Sequence, residues 1–411
     1  MRVGIVGGGL MGMALARRYA SDGHEVTVVE YADQVGGLAT WTDYGDFTWD
    51  RFRTYTGFFV DEKLHSISSN AEFLKFPLLS FFSKIRLGFT MLYASRINAW
   101  KPLESVTCEQ WLRKISGNEN VEKLWKPLLL AKLGPSYERV SAVFIWSYIK
   151  RMFSARDKSA SAEHLGHVRG GYESIFKKIE KNIDDSGGRV LLNETVMRIS
   201  SGDSGVSVHT PQRLLTFDEV ICTSPTNVLE KVVDDELLSV GQSRGSVEYL
   251  GVVCVVLVTK KPITNYYVVN IADETIPFTG LIGMSNVVDT KNTNDYHLTY
   301  LPRYLLSTDP DIERTDTHFK QTFLDGVQRM FPDFPMDEVV NVFVHRAVKV
   351  QPLQVLNYSS MVPSVKTEDP RLHVLNTSQF VNATLNNNEV IGAVNRFYDD
   401  RFSDSTTSAA R

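Results

Sequence analysis

The chain has 411 residues, 43% of them hydrophobic, with a formal net charge of -4 and a pI near 6.2. That length allows two cores, and the mild acidity excludes the basic surface that nucleic-acid phosphates require. Cys108, Cys222 and Cys254 lie far apart in no CxxC spacing, which excludes a disulfide framework and a zinc site and fits a reducing cytoplasm.

In chain order, residues 2–7 (RVGIVG) read as a short buried strand, and 10–22 as a helix with Met11, Leu15 and Tyr19 near helical spacing. Residues 24–30 (HEVTVVE) read as a second strand. Strand, glycine turn, helix and strand make the first half of a doubly wound parallel sheet. Glycines interrupt the apolar start, so it is read as this unit and not as a secretory leader, whose core is an unbroken apolar helix.

The turn Gly7-Gly8-Gly9-Leu10-Met11-Gly12 is a GxGxxG. Gly7 permits the tight turn, Gly9 lets a pyrophosphate approach the backbone, and Gly12 lets helix pack on strand. Leu10 and Met11 open the helix, whose free N–H groups and positive end suit phosphates. Glu30 ends the second strand, where a carboxylate can hold ribose hydroxyls, and Tyr31 follows it. This much suits NAD and FAD equally.

From 61 to 160 the pattern is helical and aromatic, an inserted lobe. Within it, residues 73–100 mix Phe, Leu, Met, Tyr and Trp with Lys84, Arg86 and Arg96; they are read as core helices, with a membrane-surface segment as the alternative. Strands are expected at 188–200, 206–210, 218–224, 249–258, 295–304, 339–350 and 371–380, a helix at 311–331, and a last helix from near Glu389. No apolar run reaches the roughly 18 residues that span a bilayer. The expected location is the cytoplasm, with peripheral membrane contact as a variant.

Directly after Glu30 comes Asp33-Gln34-Val35-Gly36-Gly37-Leu38-Ala39-Thr40, which resembles the GG-x-A/S extension of the flavin amine oxidase and protoporphyrinogen oxidase superfamily. The resemblance extends along the chain through FTWDRF (47–52), LWKPLLLAKLG (124–134), GHVRGGYESI (166–175), PFTGLIGMSN (277–286), YLPRY (300–304) and LNTSQF (375–380). At its most specific it is similar to a bacterial subgroup of protoporphyrinogen-oxidase-like NAD(P)/FAD-dependent oxidoreductases.

The resemblance implies an α/β fold: a Rossmann-like, two-dinucleotide-binding FAD domain with an inserted α+β substrate domain, as in the amine oxidases. The FAD domain is expected at 1–60, 165–235 and 365–402, the substrate domain at 61–164 and 236–364, and a disordered polar tail at 403–411. The cofactor implied is FAD, held by Gly7, Gly9, Leu10, Met11, Gly12, Glu30, Tyr31, Gly36, Gly37, Leu38 and Ala39, then by Val196 at the adenine and Thr223 in the turn beneath it. Near the end of the chain it implies Asn376, where many relatives carry an acid, together with Gln379 and Asn387.

Two departures remove titratable groups: Arg53-Thr54 stand where relatives continue DRF with Tyr-His, and Gly283-Met284 where relatives carry Glu-His. Arg303, Tyr304, His345, Arg346 and Lys349 are the candidates for substrate chemistry, with His345 and Lys349 expected on one strand face and Arg346 on the other. Arg169 is a further candidate anchor, and His164 and His167 are read as non-metal residues. The expected activity is an FAD-dependent oxidoreductase taking hydride from a small organic or lipid-like substrate. The alternatives are a non-redox enzyme like UDP-galactopyranose mutase, with Arg303 and Arg346 gripping a diphosphate, and a flavin-binding partner of reduced catalytic role. The substrate itself and the oligomeric state are left open.

Overall fold

The computed structural model describes residues 1–39, 49–53, 55–68, 70–154, 164–168, 171–238 and 247–408. The chain forms two units: Met1–Asp43, Gly171–Val247 and Ser359–Arg411 make the first, Tyr44–Gly170 and Glu248–Tyr358 the second.

The first unit contains β1 (Arg2–Val6), α1 (Leu10–Ser21), β2 (Glu25–Val29), α2 (Gly171–Asp185), β3 (Arg189–Leu191), β4 (Glu219–Cys222), α3 (Thr226–Val232), β5 (Leu372–Val374) and α4 (Asn387–Ser408). The five strands form a parallel sheet in the order β5-β4-β1-β2-β3. Val3, Ile5, Val26, Val28 and Ile221 pack with Met13, Leu15 and Tyr19 of α1 and Phe176 and Ile183 of α2. Helix packing on a parallel sheet is why these strands read as apolar runs and not as alternation. Tyr398 and Phe402 of α4 close on Tyr19, with ring centroids 4.9 and 5.8 Å away.

At the end of the sheet opposite the glycine loop, buried Glu219 accepts from the hydroxyl of Tyr19 at 3.3 Å and from Nε of Arg401 at 3.1 Å, with Nε2 of His373 also at 3.1 Å. This cluster fastens α4 to the sheet by charge as well as by rings. The helix continues to Ser408, so the tail expected to be disordered from 403 is helical over 403–408; no Gly or Pro follows Gly392 to stop it.

In the second unit a seven-stranded sheet runs in the order Val339–Pro352, Tyr249–Thr259, His297–Leu306, Gly280–Gly283, Val268–Ile271, Thr56–Val60 and Lys63–Ser66. Thr56–Val60 pairs in parallel with Val268–Ile271, which moves it out of the FAD domain in which the sequence placed it. Likewise His164–Val168 pairs with Trp49–Arg53, so the first unit resumes at Gly171 and not at 165. The helix Asp316–Met330 covers one sheet face through Phe319, Phe323 and Val327. The helices Phe81–Arg96, Cys108–Ser116, Lys126–Leu133 and Ala142–Ser154 enclose a separate core with Leu87, Trp111, Trp125 and Trp146. Among the described residues no helix is long and apolar enough to cross a membrane.

Candidate functional site

In the first unit the residues singled out by sequence gather past the carboxyl ends of the parallel strands, where doubly wound sheets bind ligands. Gly7 follows β1, Glu30 follows β2, Thr223 follows β4, and Asn376 lies two residues beyond β5. Gly7 has φ +108°, and a Cβ there would meet Oγ1 of Thr223 at 2.6 Å. Thr223 donates its backbone N–H to the Val6 carbonyl at 2.8 Å and turns its hydroxyl onto the same oxygen at 3.0 Å, which seats the loop. At Gly12 a Cβ would lie 1.9 Å from the Gly7 carbonyl oxygen, so only glycine lets α1 start this close to β1.

Gly9 differs. A Cβ there would find only the Cα of Gly37, at 4.0 Å. Gly36 donates its N–H to the Gly8 carbonyl at 2.9 Å and forms a parallel bridge with Gly9, so the two glycine loops lie side by side. Gly36 and Gly37 have φ of +121° and +59°, conformations that glycine adopts without strain. No side chain caps α1 at Gly9, so the N–H groups of Leu10, Met11 and Gly12 have neither an intrahelical acceptor nor a cap. An uncapped helix start beside two bare glycine backbones is a cradle suited to a pyrophosphate, and these residues fit FAD.

Glu30 is 5% exposed; its oxygens accept from the Gly8 N–H at 2.5 Å and the Ala32 N–H at 2.9 Å. It therefore ties the loop to the end of β2, with lone pairs left for ribose hydroxyls. Tyr31 and Leu38 project into solvent, while Ala39 rests against the core. The Met11 side chain is core, so its part in the loop is played by the backbone. Val196 is half-buried against the strands beneath it.

Asn376, Gln379 and Asn387 have jobs that the sequence did not disclose. The buried amide of Asn376 accepts from the Ser378 N–H at 3.0 Å and donates to the Ser224 carbonyl at 3.0 Å, knotting the turn after β5 to the turn after β4. Gln379 accepts from the Asn376 N–H and donates to the carbonyls of Pro363 and Val374. Asn387 donates to the Tyr172 hydroxyl at 2.5 Å, and the side chain that caps α4 is that of Asn386, which accepts from the Glu389 N–H at 3.0 Å. These amides shape the site's walls.

In the second unit, strand register sorts the candidate substrate residues onto two faces. Val252 lies opposite Tyr304 and Ala347, Cys254 opposite Pro302 and His345, and Val256 opposite Tyr300 and Phe343, so Cys254, Tyr300, Tyr304 and His345 share one face. Arg303 and Arg346 pair with Val253 on the other, under the helix Asp316–Met330. There Arg346 binds Asp316 at 2.6 Å and the carbonyls of Ile312 and Arg314, while Arg303 binds Asp311 at 3.1 Å. Arg346 thus fastens the start of the helix to the sheet and Arg303 the turn Pro310–Glu313 before it, and the proposed diphosphate grip loses its residues. Lys349 falls in an irregular stretch, where residues 348–350 stand against Gly251 alone, so simple alternation does not carry through to it.

The other face is half-open and aromatic. Burial raises the phenol pKa of Tyr300 and Tyr304 and pushes the Cys254 thiol up to about 11, so all three are protonated at neutral pH. Lys132, which sequence reasoning missed, places Nζ 3.7 Å from the ring centroid of Tyr304. Burial lowers its pKa, Tyr148 opposes that and Arg151 adds to it. The run LWKPLLLAKLG holds two lysines, Lys126 and Lys132, and nothing in it sets the second apart. His345 is exposed on the edge strand and stacks on Phe343 at 6.4 Å. At the Gly283-Met284 departure, a Cβ on Gly283 would meet Nδ2 of Asn286 at 2.5 Å and the Tyr266 carbonyl at 2.6 Å, so no acidic side chain fits. The side chains of residues 50–54, His164, His167 and Arg169 lie outside the described residues.

Residues 40–374 match the sequence profile of the flavin containing amine oxidoreductases, and residues 5–59 that of an NAD(P)-binding Rossmann-like domain. The chain belongs to the flavin containing amine oxidoreductase family. This flavin oxidoreductase is FAD-dependent and shares its fold with solved structures of low identity. An oxidoreductase from Methanosarcina mazei is 16% identical with a TM-score of 0.73, covering 97% of this chain and 100% of its own. A candidate protoporphyrinogen oxidase from an Exiguobacterium species is 15% identical with a TM-score of 0.74, over 98% and 99%. A putrescine oxidase bound to putrescine is 16% identical with a TM-score of 0.71, over 98% and 99%. Reduced UDP-galactopyranose mutase is a more distant fold relative, at 13% identity and a TM-score of 0.65, over 88% and 86%. No curated protein sequence matches the chain.

Proposed function

We propose that this flavin oxidoreductase takes hydride from a small organic or lipid-like substrate held on the half-open sheet face of the second unit. The chemistry supplied by bound FAD is acceptance of that hydride at N5. The carrying observation is the make-up of the face: Val252, Cys254, Tyr300 and Tyr304, with their titratable groups neutral, and Lys132 over Tyr304. Such a surface orients an apolar or ring-bearing molecule by contact and holds a polar end through phenol hydroxyls and the Lys132 amine. Hydride transfer asks for position more than for proton transfer, which suits a face where Tyr300, Tyr304 and Cys254 keep their protons.

The test is anaerobic mixing of the yellow protein with amines, polyprenyl or carotenoid-like lipids, porphyrinogens and nucleotide sugars. Bleaching by an amine, lipid or porphyrinogen is expected, with Tyr304→Ala slowing it about tenfold or more. Isomerisation of a nucleotide sugar without net bleaching would overturn the reading in favour of mutase chemistry. Bleaching by none would favour a flavin-binding partner role.

A further inference from the structure

We infer that the helix Phe81–Arg96 is a docking surface for an anionic membrane. At about 100° per residue, Phe81, Phe82, Ile85, Phe89, Leu92 and Tyr93 fall within an arc of roughly 120°. The side chains that the helix buries, Leu87, Thr90 and Ala94, lie on the opposite side. The outward arc faces solvent: Phe82 is 81% exposed, Phe89 67% and Tyr93 55%. The helix is thus amphipathic toward the core with a second apolar stripe turned outward, which has no use in a structure fully surrounded by water.

Charge selects the occupant. Residues 73–100 carry Lys75, Lys84, Arg86 and Arg96 and no Asp or Glu. Lys75, Arg86 and Arg96 are exposed, and Lys84 reaches back to the Leu74 carbonyl at 2.7 Å while keeping its charge beside the stripe. Aromatic rings flanked by cations are the composition of a helix lying in a headgroup layer. A second copy of the chain is a poor occupant, because a two-fold contact sets the patch against itself and faces these cations with one another. The helix is held rigidly for this task. Ser80 caps it, and Glu119 from the neighbouring segment accepts from the hydroxyls of Ser80 and Ser83 at 2.6 and 2.5 Å.

The test is flotation of the full-length, FAD-loaded protein with vesicles of phosphatidylglycerol and phosphatidylcholine in equal parts, against vesicles of phosphatidylcholine alone. At low salt the protein floats with the anionic vesicles, and added salt weakens the binding. The double variant Phe82→Ser, Phe89→Ser keeps its flavin content and thermal midpoint, since both rings are exposed, and binds about tenfold or more weakly. Replacing Lys75 and Arg96 by Gln lowers binding to anionic vesicles without affecting phosphatidylcholine. Failure of the wild type to float at low salt would overturn the inference, as would equal binding by the double variant. So would a concentration-dependent dimer in solution that the double variant abolishes.

Discussion

The space beyond Gly9 is open, whereas the Gly7 carbonyl fills the space beyond Gly12, so two glycines of one motif fail differently. Gly9→Val is expected to fold with the melting temperature of flavin-free wild type and to lose bound FAD at least about tenfold, read by absorbance and thermal melt. Gly12→Ala is expected to lower the melting temperature of the flavin-free protein itself, because its Cβ would lie 1.9 Å from a carbonyl oxygen. Equal behaviour of the two would refute the cradle. Glu119 gives a pH prediction: the hydroxyls of Ser80, then Ser83, with the Ser80 N–H, hold its pKa at about 2 against 4.5. Its folded value is depressed, so its stabilisation is complete above about pH 4.5 and is lost as pH falls toward 2. Glu119→Gln should therefore be less stable than wild type in urea melts near about pH 6, with the gap shrinking near about pH 3. The glycine turn and the place of Glu30 at the end of β2 were legible because strand, turn, helix and strand follow one another in a short stretch of chain. Lys132 was not, because what makes it notable is the ring of Tyr304, which sequence places far away.

Among the elements, α4 shows how far pattern reading goes. Its start was legible within two residues from the polar Asn386–Asn388 run, yet its fastening to β4 was not, because Glu219, His373 and Arg401 meet only through the sheet. Tyr398 of α4 is buried against Tyr19 of α1 and donates to Asp22 at 2.5 Å. Tyr398→Ala is expected to destabilise by roughly 3–5 kcal/mol, as loss of a buried aromatic does. Tyr398→Phe, which loses only the hydrogen bond, should cost about 1 kcal/mol. Chemical denaturation distinguishes the two, and similar losses would mean that the rings contribute little. Strand alternation correctly put His345 and Arg346 on different faces. It did not reveal which face the helix Asp316–Met330 covers, so Arg303 and Arg346 looked like substrate anchors when they fasten the turn before that helix and the helix start.

For the whole molecule, the sequence disclosed a cofactor unit assembled from separated segments, but not that Thr56–Val60 leaves it, since a parallel partner at Val268–Ile271 has no local signal. The fragment 1–369 lacks β5, the Asn376 knot and α4, and is expected to retain no FAD. A soluble 1–369 fragment that stays yellow through gel filtration would refute that dependence, whereas aggregation alone would reflect the bared edge of β4. The same discontinuity sets a timetable for the nascent chain. The glycine loop leaves the ribosome well before β5, which follows on the order of tens of seconds later at about 5–20 residues per second. Throughout that interval β4, once made, stands as an unpaired edge that a chaperone must shield or a neighbouring polysome product can capture, so yield in the cell should depend on translation speed.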